Sequence, residues 1–517
     1  MKFLKAVPVL FGLVFLPVAA GAQYRTDASA QAAAGASSDT LVLSLEQALK
    51  IALGENVAVK VADQEIERQE YARKGSYAAL FPQVSGTGSY QRTIKKQVMY
   101  MGGGDDEDGG GMASMFTDIM NPIYTALGLL AANTGTDISG AFAPAPAAST
   151  SSSDGGFEVG RMNTYSVGVS AGMPLVNAQL WESIRLSGDQ VELAVEQARS
   201  SRLDMVTQVK QAYYGVLFAK EAFNVYKTVY ENAMENFAQT ERKFKVQKAS
   251  ELELSRAAST VANAIPNVYN AESNVMLGLW QLKAVMGLSL DRPVDVSGKL
   301  SDYAGTMFRD LHQNDSVSLD GNSALRQLAL QAEMLSRSIR VQQYAYLPTL
   351  STSFSYSFIS MNDDFKFSEY RWTPYSFVGL SLNIPIFSGG KNLSSVRQAK
   401  VQKAELELQR VNTERQLKIA IRQYLNTMET AMKSHDAARE AVELAQKAYD
   451  ISAKSYQVGK STLTDLNDAQ LVLTQALLAQ NQAVYNFIVA KSNLEQTLGA
   501  DFLSSDGKVD LQGSYGK

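Results

Sequence analysis

ERKFKVQKASELELSRA (241–257) and AKSYQVGKSTLTDLNDA (453–469) are two versions of one segment, offset along the chain by a fixed spacing. The same spacing lays NVMLGLWQLKAVMGL (274–288) over NFIVAKSNLEQTLG (486–499), with Leu282 on Leu494 and Gly287 on Gly499. Upstream, YAALFPQVSGTGSY (77–90) matches YAYLPTLSTSFSY (344–356), and YSVGVSAGMPLV (165–176) matches YSFVGLSLNIPIF (375–387). The chain is therefore an internal duplication. Each half reads helix, strand, variable loop, strand, long helix, long helix. Two copies are too few for an open solenoid, so a closed ring is the expected use of the repeat.

Around the quoted segments the helices keep a strict heptad. Leu466, Leu473, Gln480, Phe487 and Leu494 recur every seventh residue, with Ala469, Ala476, Ala483 and Ala490 between them. Leu254, Val261, Val268, Val275 and Leu282 repeat the pattern, interleaved by Ala257, Ala264, Ala271 and Gly278. One seam position is always small, so neighbouring helices can approach closely while the other position supplies the knob. That is ordinary coiled-coil packing; the length is not ordinary. From Asn392 to Gln457 the helical pattern is unbroken, which at 1.5 Å per residue spans roughly 100 Å. A globular domain has little use for such a rod, whereas a tunnel across the periplasm needs one. Pro266 interrupts the first-half copy, and a kink is expected there. His435 occupies a heptad slot that is otherwise apolar, the place of a packed or pore-lining histidine.

Between the helices, Tyr165, Val167, Val169, Ala171, Met173 and Leu175 alternate with Thr164, Ser166, Gly168, Ser170 and Gly172. Leu350, Phe354, Tyr356 and Phe358 alternate with threonine and serines, and Val378, Leu380, Leu382, Ile384 and Ile386 continue the theme. Such segments fit transmembrane β-strands, and a soluble antiparallel sheet lying on a helical core would show the same alternation. Tyr90, Tyr100, Trp372 and Tyr375 near the strand ends favour a lipid interface. One chain offers four such strands, and a membrane barrel needs about eight. Open edges in lipid are forbidden, because unpaired backbone groups there cost several kcal/mol each. The chain is therefore expected to join copies of itself.

Composition agrees with an exported channel protein. MKFLKAVPVLFGLVFLPVAAGAQ opens with Lys2 and Lys5, an apolar run and Ala20-Gly21-Ala22, the pattern of a signal peptide. The run is too short to span a membrane as a helix. The net charge is −4, and losing Lys2 and Lys5 makes it slightly more negative, so nucleic acid is not an expected partner. No cysteine and only two histidines are present, which excludes thiol chemistry, disulfides and a His-rich metal site. No GxxxxGK[ST] loop and no nucleophile-and-base constellation occur, so neither an enzyme nor a bound cofactor is expected. The segment 99–160 is compositionally odd: GGGDDEDGGG (102–111) lacks the spacing of a calcium loop, and the apolar stretch after it is expected to form a short helix.

IPIFSGGKNLSSVRQAK (384–400), YQVGKSTLTDLNDAQLVL (456–473) and SNLEQTLG (492–499) resemble the TolC family of outer-membrane efflux proteins, and the resemblance covers nearly the whole mature chain except the loop at 99–160. It implies a mainly α protomer with a membrane β-barrel. Three copies would form a twelve-stranded barrel continuous with an α-helical periplasmic tunnel. On that plan 1–22 is the signal peptide. The first repeat, 23–347, holds strands at 82–98 and 161–176, an extracellular loop at 99–160, tunnel helices over 177–286 and an equatorial segment at 287–320. A helix at 321–346 begins the second repeat. The remainder, 348–517, holds strands at 348–360 and 371–387, tunnel helices over 392–498 and an equatorial tail at 499–517. Pro174, Pro385, Gly389 and Gly390 fall where the barrel turns into the tunnel.

Carried over by position, Asp465 and Asp468 match acidic residues that ring the tunnel's closed end. Their spacing of three sets both on one helix face, and such rings favour cations. A solvated helix start, with Asp465 acting on the helix dipole, is the competing reading. Tyr456 matches a position linked to the closure network, and Glu253 an acidic partner in the first-half tip. Ser461 stands at the family's arginine position, with Lys460 beside it and Arg256 as another candidate cation. Val458, Gly459 and Lys460, with Val246, Gln247 and Lys248, mark the two tips where a periplasmic adaptor would dock. The implied partners are a homotrimer, that adaptor, an inner-membrane pump of RND or ABC type and outer-membrane lipid. The implied role is a passive exit duct for efflux or secretion. A periplasmic coiled-coil tether or adhesin without a conduit is the alternative.

Overall fold

The computed structural model describes residues 41–99, 157–307 and 318–499. The signal segment, Tyr100, the acidic glycine run with the apolar stretch after it, and the tail beyond Gly499 lie outside these residues. In chain order the elements are β1 (Leu41–Leu43), α1 (Leu45–Glu55), α2 (Val57–Ala78), β2 (Gln83–Arg92), β3 (Gln97–Met99), β4 (Phe157–Val159) and β5 (Asn163–Val176). Then come α3 (Ala178–Lys245), α4 (Glu251–Met286), β6 (Val294–Val296), α5 (Ser323–Tyr344), β7 (Thr349–Asn362), β8 (Thr373–Asn383), α6 (Lys391–Gln457) and α7 (Leu463–Leu498). Contacts divide the chain into two units: Met1–Gln69 with Val191–Ala332 and Ala404–Lys517, and Glu70–Gln190 with Glu333–Lys403.

In the first unit the heptads become buried seams. Ala257, Ala264 and Ala271 are buried along α4, as are Leu466, Leu473, Phe487 and Leu494 along α7. Helix α4 runs on through Pro266; the ring removes one backbone donor but does not end the helix. Both helices stop at glycines in the left-handed region, Gly287 at φ 73° and Gly499 at φ 65°. At each end an asparagine closes the joint. The Asn56 amide donates to the Val285 carbonyl at 2.6 Å, and the Asn322 amide to the Thr497 carbonyl at 2.6 Å. Val285 and Thr497 are equivalent under the repeat. The glycines fit these joints because a side chain would not: a Cβ on Gly287 would lie 2.8 Å from the Glu55 carbonyl oxygen, and one on Gly499 would strike the backbone of Gly321.

The unit's main core holds a small parallel pair absent from the sequence reading, in which β1 lies along β6 with Leu41 opposite Val294. The Tyr213 hydroxyl, buried beneath it, donates to the Ser297 carbonyl at 2.6 Å, and the Lys220 ammonium to Val296 at 3.1 Å. A strand in 287–320 suits a mixed segment, but its partner comes from residues 41–43.

The second unit is built on an antiparallel sheet in the order β2-β5-β7-β8. Its register sorts the side chains into two unlike faces. One carries Val84, Ala171, Phe354 and Val378 in one row and Gly86, Val169, Tyr356 and Ser376 in the next. The other carries the rows Ser85, Ser170, Ser355, Phe377 and Thr87, Gly168, Ser357, Tyr375. Hydroxyls pair across this second face, Ser85 with Ser170 at 2.9 Å and Ser89 with Ser166 at 2.8 Å. Gly168 is required there, since a Cβ would lie 2.8 Å from that of Ser357. The apolar face is bare: Val378 is 75 % and Leu380 72 % exposed. Tyr375 corrects the sequence reading, because the register sets it opposite Ser357 on the hydroxyl face, not among the residues suited to lipid.

Candidate functional site

The two tips quoted at the outset fold alike. In the first, the Gln247 amide donates to Phe244 at 2.8 Å and Lys248 to Lys243 at 2.7 Å. In the second, Gly459 donates to Tyr456 at 3.1 Å and Lys460 to Ser455 at 2.8 Å. Each pair closes its helix with a left-handed residue and a six-to-one bond. Gly459 adopts φ 77° freely, whereas Gln247 holds φ 58° with a side chain. Val246, Gln247, Lys248, Val458, Gly459 and Lys460 are all exposed.

The next helices start on reciprocal caps. Ser250 accepts from the Glu253 amide at 3.2 Å while the Glu253 carboxylate accepts from the Ser250 amide at 3.1 Å. Asp465 does the same with Thr462, accepting from its amide at 2.9 Å and from its hydroxyl at 2.7 Å. These bonds hold the Asp465 carboxyl below the usual aspartate range, the Thr462 amide contributing most. Capping uses one carboxylate oxygen, Oδ2, and the side chain remains exposed. Asp468, one turn on, is exposed too. In the single chain, therefore, Asp465 has the role of a helix cap, and both carboxylates face outward.

Tyr456 is held in the joint between α3 and α6, whereas Glu253 is engaged in the cap of α4. The Tyr456 ring is buried, and its hydroxyl lies 2.6 Å from Thr240 Oγ1. Thr240 already donates to the Asn236 carbonyl at 2.8 Å, so Tyr456 is the donor in the shared bond. The Lys243 ammonium donates to the Tyr456 carbonyl at 2.7 Å and sits 4.2 Å from the ring centroid. Phe237, Tyr449, Ala257, Leu463 and Leu466 pack around this contact. The end of α6 is thus fastened to the end of α3. Ser461 contributes one bond, to the Ser452 carbonyl at 3.3 Å.

In the sheet unit, Pro174 sits at a bulge where the β5–β7 register shifts between Pro174 and Val176. Pairing with β2 has ended by then, at Gly172, so the missing donor breaks no ladder bond on that side. Pro385 follows the end of β8, and Gly389 (φ 61°) and Gly390 (φ 83°) make the turn into α6.

A buried ionic cluster went unread in the sequence. Glu182 on α3, 1 % exposed, accepts from Arg340 on α5 at 2.7 Å, with Arg185 at 3.3 Å and Arg337 at 3.9 Å. Burial pushes its carboxyl up, but Arg340, Arg185 and Arg337 together hold it below the usual range. Asp189 pairs with Arg337; there burial dominates and raises the carboxyl. The available signal was Glu182 and Asp189 seven residues apart on one helix. Among the described residues no group of His, Asp and Glu is placed to hold a metal ion, and no helix is long and apolar enough to cross a membrane.

The outer membrane efflux protein family matches residues 145–288 and 316–500. The chain belongs to that family. It is 22 % identical over 364 residues to the outer membrane protein TolC of Escherichia coli, covering 65 % of this chain and 70 % of that protein. Its fold is that of the Campylobacter jejuni CmeC outer membrane channel, with a TM-score of 0.61, 18 % identity, and 88 % of this chain and 85 % of that one covered. CusC superposes with a TM-score of 0.63 at 14 % identity, covering 90 % of this chain and 95 % of that chain. Membership makes the chain an outer-membrane efflux protein that reaches into the periplasm. Its relatives are channel proteins, not enzymes.

Proposed function

We propose that the chain is one protomer of a trimeric exit duct, gated at the periplasmic tips of its long helices. The observation that carries this reading is the β2-β5-β7-β8 sheet. It has one bare apolar face, one hydroxyl face, and edges at β2 and β8 that no described strand covers. In lipid such edges must pair, and copies of the same sheet are the partners that supply both edges and both faces. Three copies give a twelve-stranded barrel, the number that the family resemblance supplies.

On the same reading α3, α4, α6 and α7 form the tunnel, β1, β6 and their surroundings the equatorial part, and the turns at Pro174 and Pro385–Gly390 the passage between barrel and tunnel. Asp465 and Asp468 from three copies ring the closed end, and Tyr456 fastens it shut. Opening untwists the α6–α7 tip away from α3. Val458–Lys460 and Val246–Lys248 receive the adaptor, through which an inner-membrane pump of RND or ABC type supplies the energy. The cargo passes without chemistry.

The test is the mass of the purified oligomer in detergent together with its conductance in a planar bilayer. A trimer that conducts is expected. A monomer that leaves the film silent refutes the duct.

A further inference from the structure

The barrel reading, on which this inference rests, turns the apolar face of the sheet to lipid and the hydroxyl face to the lumen. Along the described strands the lumen face is mostly serine, threonine, glycine and glutamine, with Ile359 opposite Ser166 and Met361 opposite Thr164, and no charged side chain from Gln83 to Ser381. Such a wall neither holds nor repels ions by Coulomb force. Two aromatic rings stand on this face. Tyr375 and Phe377 stand opposite Ser357 and Ser355 of β7, their ring centroids 5.8 Å apart and their planes inclined at 46°. Both rings are open, 57 % and 44 % exposed.

Among the described residues both rings stay open. The cross-strand partners are serines, too short to shield a ring. The next residue of β8 on the same face is Gly379, alongside which the Phe377 ring lies at 3.9 Å from the Cβ position. Lipid is excluded by parity, because successive residues of a strand face opposite sides and Val378 and Ser376 take the lipid side. What reaches the two rings is whatever passes through the lumen.

We infer that Tyr375 and Phe377 form an aromatic wall site for neutral, planar aromatic molecules in transit through the barrel. Two tilted faces offer offset or edge-on contacts to a third ring, the geometries aromatic groups prefer. The uncharged surroundings give no competing attraction to ions. Threefold assembly places three such sites at one height, so a molecule leaving one can be taken up by the next.

The experiment uses the assembled oligomer in a planar bilayer, with indole added on the side that the β2–β5 and β7–β8 loops face. Indole is neutral, so the tip carboxylates do not attract it. The wild type is expected to show concentration-dependent, brief reductions of current. Tyr375→Ser with Phe377→Ser should weaken the apparent affinity about tenfold while the unblocked conductance stays the same. Should that variant fail to assemble, Tyr375→Leu with Phe377→Leu keeps the bulk, removes the ring faces and should show the same loss. The exchange Tyr375→Phe with Phe377→Tyr should retain the response. A conducting wild type that ignores indole, or leucine and serine variants that respond as the wild type does, overturns the site and leaves the duct standing. A silent film removes the duct and the site together.

Discussion

Tyr456→Phe is the substitution that tests the fastening of the tip. It removes a single oxygen and keeps the packed ring. In the native chain that oxygen donates to Thr240 Oγ1 at 2.6 Å, and Thr240 is fully buried. With the hydroxyl gone, water cannot easily replace it, so about 1 kcal/mol of closed-state stability is lost per protomer. Each protomer then favours opening by roughly fivefold, and three tips opening together by roughly a hundredfold. Lys243→Met acts on the same joint from the other side. It removes a 2.7 Å bond to the Tyr456 carbonyl and an ammonium 4.2 Å from the ring, worth about 1–2 kcal/mol together. The assay is open probability of single channels at fixed voltage. Both variants should leak far more than the wild type, while Ser461→Ala, which loses one bond of 3.3 Å, should remain shut. Wild-type closure in Tyr456→Phe and Lys243→Met would show that the α3–α6 fastening does not hold the gate.

Three further outcomes follow from the geometry. Asp465 is held below the usual carboxylate range, so its capping contribution is present above the unfolded aspartate midpoint, about pH 3.9. That contribution is lost only as pH falls through the lower folded value. Block of the channel by a divalent cation should therefore survive at about pH 4, and vanish in Asp465→Ala with Asp468→Ala; titration of the block near neutrality would remove the aperture assignment. Glu182→Ala leaves Arg340, Arg185 and Arg337 without their shared carboxylate; because Arg340 and Arg185 are 43 % and 68 % exposed in their side chains, the cost is about 2 kcal/mol, below that of a fully buried pair, and should appear as a lower melting temperature by circular dichroism. Gly499→Ala combines left-handed strain with a clash on Gly321, whereas Gly459→Ala has strain alone, with nothing within 4 Å of its Cβ; the first should cost more than about 2 kcal/mol and the second about 1 kcal/mol, and equal losses would contradict the joint described here.

Periodicity made the large elements legible. Alternation at 165–175 lies within β5, and the unbroken heptad from Asn392 lies within α6, because both signals extend over many residues and average out local exceptions. The β1–β6 pair stayed hidden because a strand of three residues has no period to detect. Tyr375 was misplaced for a different reason. Its aromatic character suggested lipid, but counting in twos from Val378 already assigns it to the opposite face. At the tips, Ser250-x-x-Glu253 and Thr462-x-x-Asp465 are capping signatures that the sequence displays openly, in keeping with the helix start weighed for Asp465; an acid ring needs symmetry, which a single chain does not contain. The partners of Tyr456 were illegible in principle, since Thr240 lies 216 residues away and only the packing of α3 against α6 brings them together.

The paired asparagine joints have a consequence for how the two halves differ. Asn56 and Asn322 anchor equivalent carbonyls through equal bonds of 2.6 Å, so each half inherits the same rigid hinge post at one end of its helical hairpin. Whatever changes at the far ends is borne by identical foundations. The tips could accordingly drift apart, one keeping a glycine at its left-handed turn and the other a strained glutamine. A ring assembled from such halves would alternate relaxed and tense corners, and any adaptor that grips it would feel two kinds of socket.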